Sequence, residues 1–399
     1  MWGARHTSYL DAATSTRPRE FDTPRTGTMV HLLLQRSLVA SRLLGLRGLK
    51  TSSRLDPVPY AFAFDIDGVL LKGSDPIPRA REALILLETK RIPYMLLTNG
   101  GGTHESDRVR YLSSKLGIEI DERQFVQSHT PFKEMAGKFE NVLVCGGQGE
   151  TCRKVAERYG FKNVVVPGDI IKWNSSVWPW HNFRFEGEDR EWPKPKDFFA
   201  PEQKIDAIFV YHDPRDWGVD SQIILDLLLS KGGQQGTWSK TFDEGPPIYF
   251  SNPDLIWANQ YPIPRFGQGA FRLLIEALYR EMTGGKELKS TIIGKPHKLT
   301  YDYAVRVLSK WRAESYGVQA GKELDRSRVY MVGDNPESDI RGANENGLYS
   351  ILVRTGVFRD AVNSEKYPAK TVCADVLEAV EFAIEREEGR AAEKKAGIA

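Results

Sequence analysis

The stretch Tyr60–Gly68, YAFAFDIDG, decides the fold. An uncharged run of aromatic and small apolar residues meets Asp65, and a glycine follows three positions later. Short continuous apolar runs of this kind read as strands covered on both faces, as in parallel sheets flanked by helices. The following segments agree. RAREALILLETKR, from Arg79, has helical periodicity, and IPYMLLT (Ile92–Thr98) is a second apolar strand leading into a glycine-rich turn. Much later the alternation resumes with STIIG (Ser290–Gly294), a helix from about Lys298, VYMVGD (Val329–Asp334), another helix, and YSILV (Tyr349–Val353). The pattern predicts an α/β protein with a largely parallel sheet.

Between about Thr103 and Lys289 a second α/β pattern interrupts the first. NVLVCGGQGETCRKVAERYG reads as strand, glycine-rich turn and helix. KIDAIFVYHD with DSQIILDLLLSKGG repeats the unit, and PPIYFSNPD leads through PIPRFGQGAFRLLIEALYREMTG to a further helix. An insertion of this size is a domain rather than a loop. Within it, Trp173, Trp178, Trp180 and Trp192 mark a stretch expected to be a long loop clamped by its own aromatics. The expected organisation is therefore 1–54 as a leader, 55–104 as the first part of the main domain, 105–288 as the insert, 289–385 as the rest of the main domain, and 386–399 as a charged, fraying tail.

Composition excludes several classes of function. Hydrophobic residues at 41% and charged residues at 27% are ordinary for a globular chain, so wholesale disorder is excluded. A net charge of +2 does not suit a nucleic-acid binder. Cys145, Cys152 and Cys373 are too few and scattered for a disulfide framework or a zinc site. No run of about 18 uncharged apolar residues is present, so no membrane-spanning helix is expected.

Four segments could carry chemistry. In Asp65-Ile66-Asp67-Gly68, two carboxylates at a strand end can divide phosphoryl transfer. The first attacks phosphorus, and the second protonates the leaving oxygen and later activates water. In Thr98-Asn99-Gly100-Gly101-Gly102, a hydroxyl followed by flexible backbone can hold phosphoryl oxygens. Lys295, in Gly-Lys-Pro-His, can neutralise phosphate charge and brace the nucleophile. Asp334 and Asp339, in GDNPESD, suit a hard cation with oxygen ligands, Asp339 being equally suited to capping the next helix. Each segment taken singly reads as turn, surface or cap chemistry. All four at strand ends supply nucleophile, acid/base, phosphate holder, cation and metal ligand together.

These motifs resemble those of the haloacid-dehalogenase-like superfamily, and the insert resembles the subclass IIA cap of NagD-like phosphatases. Ser251-Asn252-Pro253-Asp254 and Gly267-Gln268-Gly269-Ala270 resemble later signatures of that cap. The resemblance covers about Pro59 to Ile384. It implies a Rossmann-like core with an inserted α/β cap, and a phosphatase that forms an aspartyl-phosphate on Asp65 with Asp67 as acid/base. It further implies Mg²⁺ held by Asp65, the Asp67 carbonyl and Asp334, a phosphoryl group gripped by Thr98, Asn99 and Lys295, and Asp339 behind them. Asn252, Gly267 and Gly269 become candidate cap contacts to substrate, and a homodimer through the cap is implied. The glycines after Asn99 depart from the pattern of the better-known subclass IIA phosphatases. Alternatives are a catalytically idle scaffold with the same fold, and phosphotransfer to an acceptor other than water. The expected partner is a small phosphorylated metabolite, with a link to glycerophospholipid chemistry conceivable from location.

From Met29 to Arg54 the chain carries leucines, serines and spaced arginines, and no acid occurs between Asp22 and Asp56. This is the composition of a mitochondrial presequence, and a matrix location is expected. Deleting Met29–Arg54 should therefore leave the protein in the cytosol, as read by fractionation. Unchanged import of the truncated chain would defeat this reading.

Overall fold

The computed structural model describes residues 58–180, 203–257, 261, 263, 265–317 and 324–397. All belong to one unit, Pro57–Ala399. The leader, the segment containing Trp192 and the last two residues lie outside the described residues.

Strand β1 (Ala61–Phe64) alternates small and large side chains, and this sets the layering. Phe62 and Phe64 point to one face of a sheet, and Ala61 and Ala63 to the other. A short antiparallel ribbon, β2 (Leu71–Lys72) and β3 (Asp75–Pro76), follows. Helix α1 (Ala80–Thr89) buries Ala80, Ala83, Leu84 and Leu87, and leads to β4 (Tyr94–Leu97). Helix α2 (Glu105–Leu116) is capped by His104, whose ring accepts from the Ser106 amide, and closes on Gly117 in the left-handed region. Strand β5 (Phe125–Val126) comes next.

The chain then crosses into the insert. Its order is β6 (Asn141–Cys145), α3 (Thr151–Arg158), β7 (Asn163–Val165), α4 (Pro167–Trp173), β8 (Ala207–Val210), α5 (Trp217–Leu228), β9 (Ile248–Phe250), the hairpin β10 (Ile256–Trp257) and β11 (Arg265–Phe266), α6 (Gln268–Met282), and β12 (Ser290–Ile292). It returns through α7 (Lys298–Tyr316), β13 (Val329–Gly333), α8 (Arg341–Glu345), β14 (Tyr349–Val353), β15 (Thr371–Cys373) and α9 (Val376–Lys395).

Two parallel sheets result. The core sheet runs β15-β14-β13-β1-β4-β5, and the cap sheet runs β12-β9-β8-β6-β7. On the core sheet, α1, α2 and α9 cover the face bearing Phe62 and Phe64. The long α7 covers the face bearing Ala61 and Ala63, where small residues admit Tyr301 and Leu308. The cap sheet is sandwiched likewise, with α4, α5 and α6 on one side and α3 with Phe132 on the other. In open α/β sheets the crevice beyond the carboxyl ends of the strands is the place for a ligand.

The domain boundaries differ from those read in the sequence. Residues 105–126 belong to the core, because β5 pairs with β4 and the apolar face of α2 joins the Phe62 cluster. Ser290–Ile292 is not a core strand; it pairs with β9 at the edge of the cap sheet. A β-branched run looks the same in either sheet, and only its hydrogen-bonding partner decides where it belongs. The tail is helical through Lys395 rather than frayed from 386. Glu387 is buried there, accepting from Arg328 and the Tyr330 hydroxyl. In the tryptophan-rich stretch Trp178 meets Trp180 edge to face at 5.3 Å and packs against Gly218.

Because Phe62 is fully buried against Phe64 and Tyr330, Phe62→Ala should cost about 3–5 kcal/mol in urea-induced unfolding.

Candidate active site

The site begins where β1 ends. Asp65 leaves the strand with its amide still bonded to the Val332 carbonyl, and the residue is only 6% exposed. Gly68 turns the chain at φ 91°, and a Cβ there would stand 2.4 Å from Asp334 Oδ2. Gly356 closes the other side, where a Cβ would lie 1.9 Å from the same oxygen. Asp334, leaving β13, thus sits in a cradle that only hydrogen atoms can line. The Val357 amide donates to its Oδ2 at 2.7 Å.

Lys295 binds these acids together. Its ammonium lies 2.5 Å from Asp65 Oδ1 and 2.7 Å from Asp339 Oδ1, and all three side chains are buried. Asp339 Oδ2 accepts from the Asn335 amide. Burial alone would push the Lys295 ammonium towards neutrality, but Asp339 and Asp65 outweigh it and raise its pKa. Burial raises the pKa of Asp65 well above the ordinary range, with Lys295 opposing and Asp339, Asp334 and Asp67 reinforcing. Asp334 is pushed up to about 7 by burial and by Asp339. One ammonium does not neutralise this many carboxylates.

Among the described residues, Asp65, Asp334 and Asp339 form a metal-capable group, with one oxygen from each lying within 4.8 Å of the others. An all-carboxylate donor set in a glycine-lined cradle fits a hard divalent cation such as Mg²⁺. Asp339, read in the sequence as standing behind the metal ligands, offers one oxygen to this same group. The Asp67 carboxylate is outside the group. It is exposed, two residues beyond Asp65 on the turn that leaves β1.

Thr98 and Asn99 follow β4 and are buried. Thr98 Oγ1 accepts from the Gly100 amide at 2.9 Å, and a Cβ on Gly100 would lie 3.8 Å from Asp67 Oδ2, so this loop stands beside the acid. Asn99 holds the returning chain: its Oδ1 accepts from the Lys295 amide at 2.7 Å, and its Nδ2 donates to the Lys295 carbonyl at 2.9 Å. Lys295 thus reaches the site from the return crossover behind a cap strand, not from the end of a core strand.

The cap meets the core at the same loop. Asn252 Nδ2 donates to the Asn99 carbonyl at 3.1 Å, and Asn99 Nδ2 reaches both oxygens of Asp254 at 3.2 Å. Gly267 and Gly269 allow a close approach of two cap segments. Both are buried beneath the Pro253–Asp254 backbone, where a Cβ would stand 2.6 Å from the Asp254 carbonyl oxygen at Gly267 and 2.1 Å from the Pro253 carbonyl oxygen at Gly269. Sequence reasoning missed Asp254 as a core contact, Gln268, which accepts from the Asn252 amide, and the buried His129. The available signal was the position of Asp254 in a turn directly after a strand.

Burial raises the Asp254 pKa to about 6, against the opposing pull of Asn99 and Lys295. The native state therefore binds an extra proton between the unfolded carboxylate range and about pH 6, and this group's contribution to stability falls as pH rises through that window. Asp254→Asn removes the penalty. The variant should melt above the parent by on the order of 2–4 °C at pH 7.5, with the gap shrinking towards pH 4, in paired thermal scans.

Comparison with known proteins accords with this geometry. The family described as haloacid dehalogenase-like hydrolase matches residues 62–162, and a HAD-hydrolase-like family matches 292–379. A mitochondrial hydrolase of Saccharomyces cerevisiae is 40% identical over 86% of this chain and 99% of its own length. A cardiolipin synthase (CMP-forming)/mitochondrial hydrolase fusion protein of Schizosaccharomyces pombe is 46% identical over 90% of this chain, which spans 60% of that relative's length. The structure of NagD from E. coli K-12 superimposes with a TM-score of 0.52 at 18% identity, over 80% of this chain and 97% of that one, a likeness of fold. With its two capped parallel sheets, the chain belongs to the haloacid-dehalogenase-like hydrolases and carries the NagD-like, subclass IIA form of that fold.

Proposed function

We propose that the protein is a Mg²⁺-dependent phosphatase that hydrolyses a small phosphomonoester through an aspartyl-phosphate on Asp65. The observation that carries this reading is the Lys295 ammonium at 2.5 Å from Asp65 Oδ1, with Asp67 exposed on the same turn. Lys295 occupies Oδ1 and leaves Oδ2 to attack phosphorus. As the new P–O bond forms, the ester P–O bond breaks and the Asp67 carboxyl hands its proton to the departing oxygen. In the second half, Asp67 accepts a proton from water as the water oxygen bonds to phosphorus. The P–O bond to Asp65 then breaks and its carboxylate is restored.

Thr98 and the amides that follow it hold the phosphoryl oxygens, and Lys295 balances their charge. Asp65, Asp334 and the Asp67 carbonyl would hold Mg²⁺, with Asp339 beside them. The ion would supply positive charge between the phosphate and the nucleophile, two anions that otherwise repel. The cap residues Asn252 and Asp254 bond to Asn99, next to Thr98, which supports a cap that covers bound substrate and excludes water. An idle scaffold has no use for a buried, mutually repelling acid cluster, which burdens stability.

A second observation concerns the substrate. The fission-yeast relative joins its hydrolase region to a cardiolipin synthase. This supports a phosphorylated glycerol-type headgroup or its precursor as the ester. The presequence-like leader and the mitochondrial names of both relatives support action in the matrix.

Phosphate release from a metabolite panel that includes aryl phosphates tests the reading. Asp65→Asn should abolish turnover, Asp67→Asn should lower kcat by about 10²–10⁴, and chelation of divalent metal should silence the parent reversibly. A parent as inert as Asp65→Asn on every ester, with Mg²⁺ present, would sink the phosphatase reading.

A further inference from the structure

The three glycines after Asn99 remain unexplained by the chemistry above. A Cβ on Gly101 would lie 2.7 Å from the His129 ring, and one on Gly102, at φ 93°, would lie 2.6 Å from the His212 ring. Two histidines packed against the loop leave no room for side chains at 101 and 102.

His129 is fully buried, and its bonds run in one direction. Its Nε2 accepts from the Gly102 amide at 3.0 Å, so the ring proton is on Nδ1, which faces the Tyr159 hydroxyl at 2.8 Å. Tyr159 in turn donates to Glu105 Oε1 at 2.5 Å. Thr130 Oγ1 donates to the same oxygen at 2.8 Å, and the Lys133 ammonium lies 3.4 Å away. Burial would raise the Glu105 pKa, but the Lys133 ammonium and the hydrogen bonds from Tyr159 and Thr130 outweigh it and keep the carboxylate charged. Burial holds His129 neutral, near 4. A charged acceptor at one end and a neutral imidazole at the other keep every proton in this chain on its donor.

The members come from different parts of the fold. Glu105 opens core helix α2, His129 lies on the outgoing crossover, and Tyr159 ends cap helix α3. Nearby, the Ser128 amide donates to the Gly100 carbonyl at 3.2 Å. The 98–102 loop is thus tied to the outgoing crossover through Gly100 and Gly102, and to the returning one through Asn99 and Lys295.

We infer that Glu105, Tyr159 and His129 form a positioning relay that holds the Gly100–Gly102 backbone in its phosphate-gripping shape only while the cap's Tyr159 is docked on the core. The inference rests on the phosphatase reading for the meaning of "gripping", and on the hydrogen bonds alone for the relay. These three are positioning residues, since none touches the reacting atoms. Cap docking then does more than cover the substrate; it completes the loop that receives the phosphoryl group.

Tyr159→Phe tests this with the full-length protein, because it deletes one hydroxyl and keeps the ring packed. Two readouts need no turnover. Hydrogen exchange across residues 99–103 should quicken about tenfold, and the Kd for inorganic phosphate with Mg²⁺, by calorimetry, should rise about tenfold, the factor expected for losing one such bond. His129→Gln should behave alike, and the double variant should be no worse than the worse single one. Val155→Ala, in the same buried cap cluster but outside the relay, should lower the melting temperature and leave both readouts unchanged. Exchange and phosphate affinity within twofold of the parent in Tyr159→Phe would overturn the relay, as would faster exchange with unaltered affinity. If the parent hydrolyses no ester while both readouts shift, the relay stands and the phosphatase reading fails.

Discussion

The buried contact of Lys295 with Asp65 and Asp339 is the constraint on which the rest of the structure depends. Removing several charges from water is expensive unless each finds a partner at close range. Here one ammonium faces a cluster that also includes Asp334, so the arrangement stays short of positive charge. That deficit is costly for folding, and an all-carboxylate cluster short of positive charge is suited to a hard cation. The same balance explains why the surroundings are built so tightly. Gly68 and Gly356 leave Asp334 no room to move, and Asn99 holds the backbone of Lys295 through both its amide and its carbonyl.

Around this contact the fold places two parallel sheets connected by two crossovers. Both crossovers meet the loop that follows β4: one at Ser128 and His129, the other at Lys295. Cap residues Asn252 and Asp254 reach the same loop through Asn99. A short backbone segment therefore receives contacts from the core, the cap and both connections. Its glycines follow from that crowding as well as from chemistry, because side chains at 101 and 102 would collide with His129 and His212.

Much of the core was legible because its logic is local. A buried parallel strand must be apolar throughout, so YAFAF, YMLL and VYMVG announce themselves, and the first polar residue after each marks the carboxyl end where ligands gather. Asp65, Thr98 and Asp334 could be placed on that ground. Lys295 was recognised, but its strand was assigned to the wrong sheet, because Ser290–Ile292 is an edge strand whose residues carry no label for either partner. The cap boundary was misplaced for a related reason: the amphipathic face of α2 looks the same whichever sheet it covers. Glu387 shows the opposite case, a charged residue in an apparently polar tail that is buried because Arg328 and Tyr330 wait for it.

The sequence by itself determined the central core strands, their order of appearance and the positions of Asp65, Thr98 and Asp334 at their ends, since these depend on residue type and near neighbours. Only the tertiary structure decided that Lys295 bridges Asp65 and Asp339, that oxygens of Asp65, Asp334 and Asp339 converge within 4.8 Å, and that Glu105, Tyr159 and His129 form one chain ending on Gly102. Those are contacts between residues distant along the chain, the Asn99 to Asp254 pair being 155 positions apart. Hydrogen bonds and burial act over a few ångströms of space whatever the sequence separation, so their partners are chosen by the packing of sheets and crossovers.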